Sequence, residues 1–145
     1  MQIKVKTPVR ESRSKVWSAF NRELFLALAP PYPKVELLRF DGCSVNDEVH
    51  LLLKAGFAQL RWDAKIVDEG STETATYFID KGTVLPFPLQ RWIHVHLIED
   101  NGTGCSISDE VTFTSGNGLA DLFLYPFLFL TIYFRKFTYR RIFNS

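Results

Sequence analysis

Between Gly104 and Thr114 the chain alternates. Cys105, Ile107, Val111 and Phe113 fall on one parity, and Ser106, Ser108, Glu110 and Thr112 on the other. A period of two marks a strand with one buried face, and a slip of one residue would turn the whole apolar set to solvent. Upstream lies Trp92-Ile93-His94-Val95-His96, and Asn101-Gly102 stands between the two runs. Asn-Gly between β-rich runs signals a hairpin, because a type I′ turn needs φ > 0 at both central residues. With Asn101 and Gly102 at the turn, Ile98 faces Cys105, His96 faces Ile107, His94 faces Asp109 and Trp92 faces Val111. Asp109 shares the parity of the apolar set. The hairpin therefore carries Trp92, both histidines and Asp109 inward. A buried charge needs a partner, and His94 opposite Asp109 supplies one. Such a pair marks a place, and only weakly a reaction.

The rest of the chain reads as strands around two helical regions. Gln2 to Val9 alternates, and Pro8 suits a strand end. Ser12 or Ser14 can cap a short helix with Val16, Trp17 and Phe20 as its stripe. Asn21 breaks it. A second short helix runs to about Leu28, stopped by Ala29-Pro30-Pro31-Tyr32-Pro33. Strands follow at Val35 to Phe40, around Val49 to Ala55, from Ala58 to Ile66, from Thr72 to Asp80, and from Gln90 to Glu99. Gly56 marks a turn or bulge, and Glu69-Gly70-Ser71 is expected to turn the chain. Leu119 to Phe143 reads as one long helix, with Pro126 able to kink it or delay its start. Antiparallel strands must cover their apolar face. The aromatic C-terminal helix is the one element large enough to do so. A curved sheet gripping a helix leaves room that the thirteen phenylalanines and three tryptophans would line.

Composition closes off several classes. The 145 residues fit one domain, 1–145, and 46% apolar content is too high for disorder. A formal net charge of +1 gives no field argument for nucleic acid. Cys43 and Cys105 have no metal-type spacing and read as reduced, buried thiols of a cytoplasmic chain. The alternating start, Met1 to Lys6, lacks the apolar run of a signal peptide. Leu122 to Phe134 is apolar apart from Thr131, yet shorter than the roughly 20 residues that cross a bilayer. A buried core helix is expected, without stable membrane insertion; the rival is surface insertion of this helix with Arg135, Lys136, Arg140 and Arg141 near headgroups. Arg135, Lys136, Arg140 and Arg141 read as a solvated helix end, favourable with the macrodipole.

This element order, with its residues, resembles the helix-grip superfamily of START lipid-transfer domains, pollen-allergen-type proteins and polyketide cyclases (SRPBCC). The start, Val9 through Val16-Trp17-Ser18-Ala19-Phe20, looks like the family's first strand and short helix. Three ordered motifs resemble a bacterial branch of it: Phe78-Ile79-Asp80, Trp92-Ile93-His94-Val95-His96, and Asp109-Glu110-Val111-Thr112-Phe113. Phe134-Arg135 fits that branch's late aromatic-Arg pair. One departure is Leu89 after Pro88, where an aromatic often stands. The resemblance implies an α+β helix-grip fold: a curved antiparallel sheet of about seven strands wrapped on a long C-terminal helix, with two short helices after the first strand. It also implies a cavity that takes an apolar or amphipathic small molecule. The scaffold hosts carriers, cyclases and regulatory binders, so fold does not decide activity.

The candidate ligand-binding residues are therefore Trp62, Phe78, Asp80, Trp92, His94, His96, Asp109, Val111 and Phe113. His94 and Asp109 could polarise a ligand oxygen or move a proton, as in a cyclase or dehydratase. They could equally be a structural hydrogen-bonded pair. His-x-His could place two imidazoles on one strand face for a metal, but no cysteine or Glu-x-x-His motif supports this, and neither metal nor cofactor is expected. Asp80 points outward if Glu69-Gly70 is a two-residue turn, and inward opposite Leu60 if the loop has three residues. Leu124, Tyr125, Phe127 and Leu128 cannot all face one cavity, which raises a homodimer through the last helix.

Overall fold

Alternation gives the strands, and the strands pair in a single antiparallel sheet. The computed structural model describes residues 1–144. The elements are β1 (Gln2–Val9), α1 (Arg13–Ser18), α2 (Arg22–Leu28), β2 (Lys34–Phe40), β3 (Glu48–Ala55), β4 (Ala58–Ser71), β5 (Ala75–Val84), β6 (Arg91–Asp100), β7 (Cys105–Thr114), α3 (Gly118–Tyr133) and α4 (Arg135–Phe143). The sheet order is β1-β7-β6-β5-β4-β3-β2. This is the helix-grip architecture expected from the sequence. Caps set the helix starts. The Ser12 side chain accepts from Lys15 N, Asn21 from Leu24 N, and Asn117 from Leu119 N and Ala120 N.

The core has two parts. One gathers Val9, Val16, Leu24, Leu28, Ile98, Ile107 and Tyr139 under the short helices. The other gathers Ile3, Val5, Trp92, Val111, Phe113, Leu128 and Ile132 under α3. The last helix is interrupted at Phe134 rather than at Pro126, which sits inside α3. Leu128, Ile132, Arg135, Tyr139 and Phe143 form its buried stripe at helical spacing. Cys43 and Cys105 are both free thiols, pushed up by burial to about 12 and about 11.

Two turns depart from expectation. The β6–β7 connection is not a two-residue Asn-Gly turn. Asp100 pairs with Cys105, Ile98 with Ile107, His96 with Asp109, His94 with Val111 and Trp92 with Phe113. Asn101 Oδ1 accepts from Thr103 N and Oγ1, Asn101 N donates to Gly104 O, and Gly102 has φ 90°. Gly104 is dictated by close approach: a Cβ there would overlap the backbone oxygens of Val9 and Arg10. The register moves by two residues, so every side chain keeps its predicted face. The β4–β5 turn lies at Thr72–Thr74 instead of Glu69–Ser71. Thr72 Oγ1 accepts from Thr74 N and Ala75 N, and Gly70 stays in β4 opposite Tyr77, whose ring covers it. Irregularities between Asp63 and Ala64 and between Ile66 and Asp68 shift β4 against β5. Asp80 then pairs with Ile66, not Leu60, and faces inward.

Gly104→Ala is expected to cost about 2–3 kcal/mol, by forcing backbone apart at β1. Gly102→Ala, with open space around it, is expected to cost only about 1 kcal/mol for its positive φ. Urea midpoints of the two variants check this order.

Candidate functional site

The inner face of β6 carries Trp92, His94 and His96 at alternate positions, all buried. Neighbouring strands supply a carboxylate on each side: Asp80 from β5 and Asp109 from β7. The rings form a row. Phe78 stacks on His96 at 4.1 Å and 8°, His96 on His94 at 3.8 Å and 25°, and Trp92 meets His94 edge-on at 6.0 Å. Asp109 Oδ1 accepts from His94 Nε2 at 2.8 Å, and Asp80 Oδ2 accepts from His96 Nε2 at 2.7 Å. Each imidazole thus spends its Nε2–H on a carboxylate. Its Nδ1 faces the other carboxylate at longer range, 3.9 Å from His94 to Asp80 and 3.7 Å from His96 to Asp109. His96 Nδ1 has no hydrogen-bond partner and neither has Tyr139 Oη, both among the described residues.

Arg135 completes the network. It is buried, and its Nη1 donates to Asp109 Oδ1 at 2.7 Å. Nη1 also lies 3.3 Å from His94 Nε2, because both groups converge on one oxygen. Arg135 is therefore not part of a solvated helix end. Helical spacing from Leu128 and Ile132 turns it inward, and the Asp109 carboxylate receives it. Burial alone would push Asp109 up, but the Arg135 charge and the His94 hydrogen bond outweigh it and hold the carboxyl well below the usual range. Asp80 is likewise lowered, the His96 hydrogen bond and charge overcoming burial. Burial pushes His96 down to about 4, with His94 and Arg135 adding to it against Asp80.

A cavity of about 210 Å³ lies over this row. An engineered apolar cavity of roughly 150 Å³ already admits benzene, so this space exceeds a packing defect. Trp62, Phe78, Asp80, Trp92, His94 and His96 line it from the sheet. Asp109 stands behind His94 instead of on the wall, and Val111 and Phe113 lie in the core beneath α3. The opposite wall was not read from the sequence: Leu24, Phe25 and Leu28 of α2, Pro33, and Phe40 of β2. Leu24, Phe25 and Leu28 recur at helical spacing, but nothing local says that they face β2 across a void. Phe127, Leu128, Thr131, Ile132 and Arg135 close the helix side.

Asp80, His94 and His96 bring their donor atoms within 4.8 Å of one another, a spacing that could hold a cation. Arg135 already brings a positive charge to the same network.

No family model matches this chain, and no curated protein does. Solved structures do. A ginseng (Panax ginseng) major latex-like protein is 12% identical, covers 91% of each chain and has a TM-score of 0.62. A protein from Arthrobacter aurescens is 10% identical, with a TM-score of 0.66 over 93% of this chain and 80% of that one. Ara h 8.0201 is 16% identical over 91% and 94%, with a TM-score of 0.56. These likenesses establish the helix-grip fold.

Two expectations follow for stability. Arg135→Met strands a buried carboxylate and should cost about 3–5 kcal/mol, largely recovered in Arg135→Met/Asp109→Asn. Urea unfolding of the three proteins reads this. The second concerns acid. Unfolded His96 takes its proton near 6.5, folded His96 only near about 4. Between those values the unfolded chain binds more protons, so stability is full above pH 6.5 and falls as pH drops, by up to about 1.4 kcal/mol per pH unit. His96→Gln, which keeps a donor for Asp80, should flatten that slope in thermal melts across pH 4–7.

Proposed function

We propose that the cavity binds a small amphipathic molecule, its apolar body between α2 and α3 and its polar head on the β6 histidine row. The observation that supports this is the join of an open apolar space to a buried polar network at one end. Small-molecule sites have this make-up: apolar walls and a few polar groups that fix orientation. The ligand is thus of the hydrophobic or amphipathic class.

The network also favours one kind of head. Two carboxylates face a single guanidinium, and both imidazoles spend a donor on them. What is left over toward the cavity accepts: the second oxygen of Asp80, which hydrogen-bonds His96 through Oδ2 alone. A hydroxyl or amine satisfies such a group. A carboxylate would meet like charge. Proton transfer by His94 in a cyclase-type enzyme is the competing reading, favoured by its placement on the cavity wall with Nε2 held on Asp109. Two unpaired thiols fit a reducing compartment such as the cytoplasm.

Displacement of Nile red tests the binding reading. 1-Octanol and octylamine should compete at least about tenfold better than octanoate. His94→Ala, which removes the middle ring of the row under the head group, should weaken octanol about tenfold, a larger effect than its loss of thermal stability. Failure of every octyl compound to displace the dye, or displacement unchanged in His94→Ala, would remove the basis of the proposal.

A further inference from the structure

The helix pair α3–α4 has two apolar faces, and the sheet uses only one. Leu128, Ile132, Arg135, Tyr139 and Phe143 turn inward. On the opposite side, Leu119, Leu122, Phe123, Leu130, Phe134 and Phe137 are exposed, Phe123 to 78% and Leu119 to 65%. Their spacing, in steps of three, four and seven residues, makes one continuous stripe. Contiguous exposed apolar patches rimmed by polar residues mark interaction surfaces.

Charge says what covers it. Arg141 extends the stripe at its C-terminal end, Arg140 flanks it, and Lys136 sits over the Tyr133 ring at 5.8 Å. The one carboxylate of the two helices, Asp121, is turned in and spent on Ser115 N, Ser115 Oγ and Thr114 Oγ1. The outward surface is therefore apolar and cationic, with no anion. That is the signature of a helix lying in the interface of an anionic bilayer. A second copy of the chain offers no carboxylate on this face to meet the cations. Nor can the helices span the bilayer, because Arg135 is anchored by Asp109 on β7 and the inner stripe is packed on the sheet. Phe127 belongs to the exposed stripe and also lines the cavity. The stripe therefore borders the cavity mouth.

We propose that the outward face of α3, with the cationic end of α4, docks on an anionic phospholipid surface and brings the cavity mouth to it. Docking stands by itself; only ligand exchange at the mouth rests on the binding reading above.

Flotation of the full chain with phosphatidylcholine vesicles, with and without phosphatidylglycerol, tests it. The chain should float with the anionic vesicles at least about tenfold more than with the neutral ones. Phe123→Asp, Leu119→Asp and Arg140→Glu/Arg141→Glu should each reduce that flotation about tenfold, with melting curves unchanged. Three results would overturn the proposal: no flotation with anionic vesicles, flotation that the folded variants leave intact, or a dimer by light scattering that Phe123→Asp dissolves in the absence of vesicle binding. The last would assign the face to a second copy. None of these readouts needs a cavity ligand, so dye displacement succeeds or fails separately.

Discussion

The ion pair of Arg135 and Asp109 is the contact on which the site depends. It joins the last helix to β7 across the interior, with 2.7 Å between Nη1 and Oδ1. Burying either charge alone costs several kcal/mol, whereas a buried pair roughly breaks even against apolar packing. Its value therefore lies in geometry. The guanidinium holds Asp109 as a carboxylate, the carboxylate orients the His94 ring, and His94 stacks on His96. His96 in turn reaches Asp80. Five side chains from four elements thus set one another's positions.

That chain of contacts explains why part of the site was legible in sequence and part was not. Face assignment depends on parity alone, and parity survives a two-residue error. The β6–β7 connection is longer than Asn-Gly implies, yet Trp92, His94, His96 and Asp109 all point where the alternation puts them. His94 and Asp109 stay hydrogen-bonded although they are not direct cross-strand partners. Asp80 was ambiguous because its strand meets β4 through two irregularities, and a bulge leaves no trace in periodicity. Gly70 reads as a turn signal but serves as the seat of the Tyr77 ring.

Arg135 is hidden in the sequence for a different reason. In a run ending Arg135-Lys136, with Arg140-Arg141 beyond, each cation looks alike, and only position on the helix separates them. Arg135 falls seven residues after Leu128, on the inward stripe; Arg141 falls seven after Phe134, on the outward one. Helical spacing supplies the signal: Arg135 shares the stripe of Leu128 and Ile132, the face that meets Asp109. The wall made by α2 and β2 had no such signal, since a void between two apolar elements depends on sheet curvature.

The same helix therefore answers to two constraints. Its inner stripe is specified by the sheet, where Arg135 admits one register and Leu128 and Ile132 fill the space between. The outer stripe is free of that requirement, and at Leu119, Leu122, Phe123 and Leu130 a polar residue would fit the fold equally well. Nothing in packing calls for apolar groups there. A contiguous exposed apolar stripe is a mark of interaction surfaces, and the proposed docking rests on it. Phe127 makes the connection physical: one side of its ring borders the cavity while the residue is 54% exposed. Any surface that covers the outer stripe also touches the rim through which a ligand would pass.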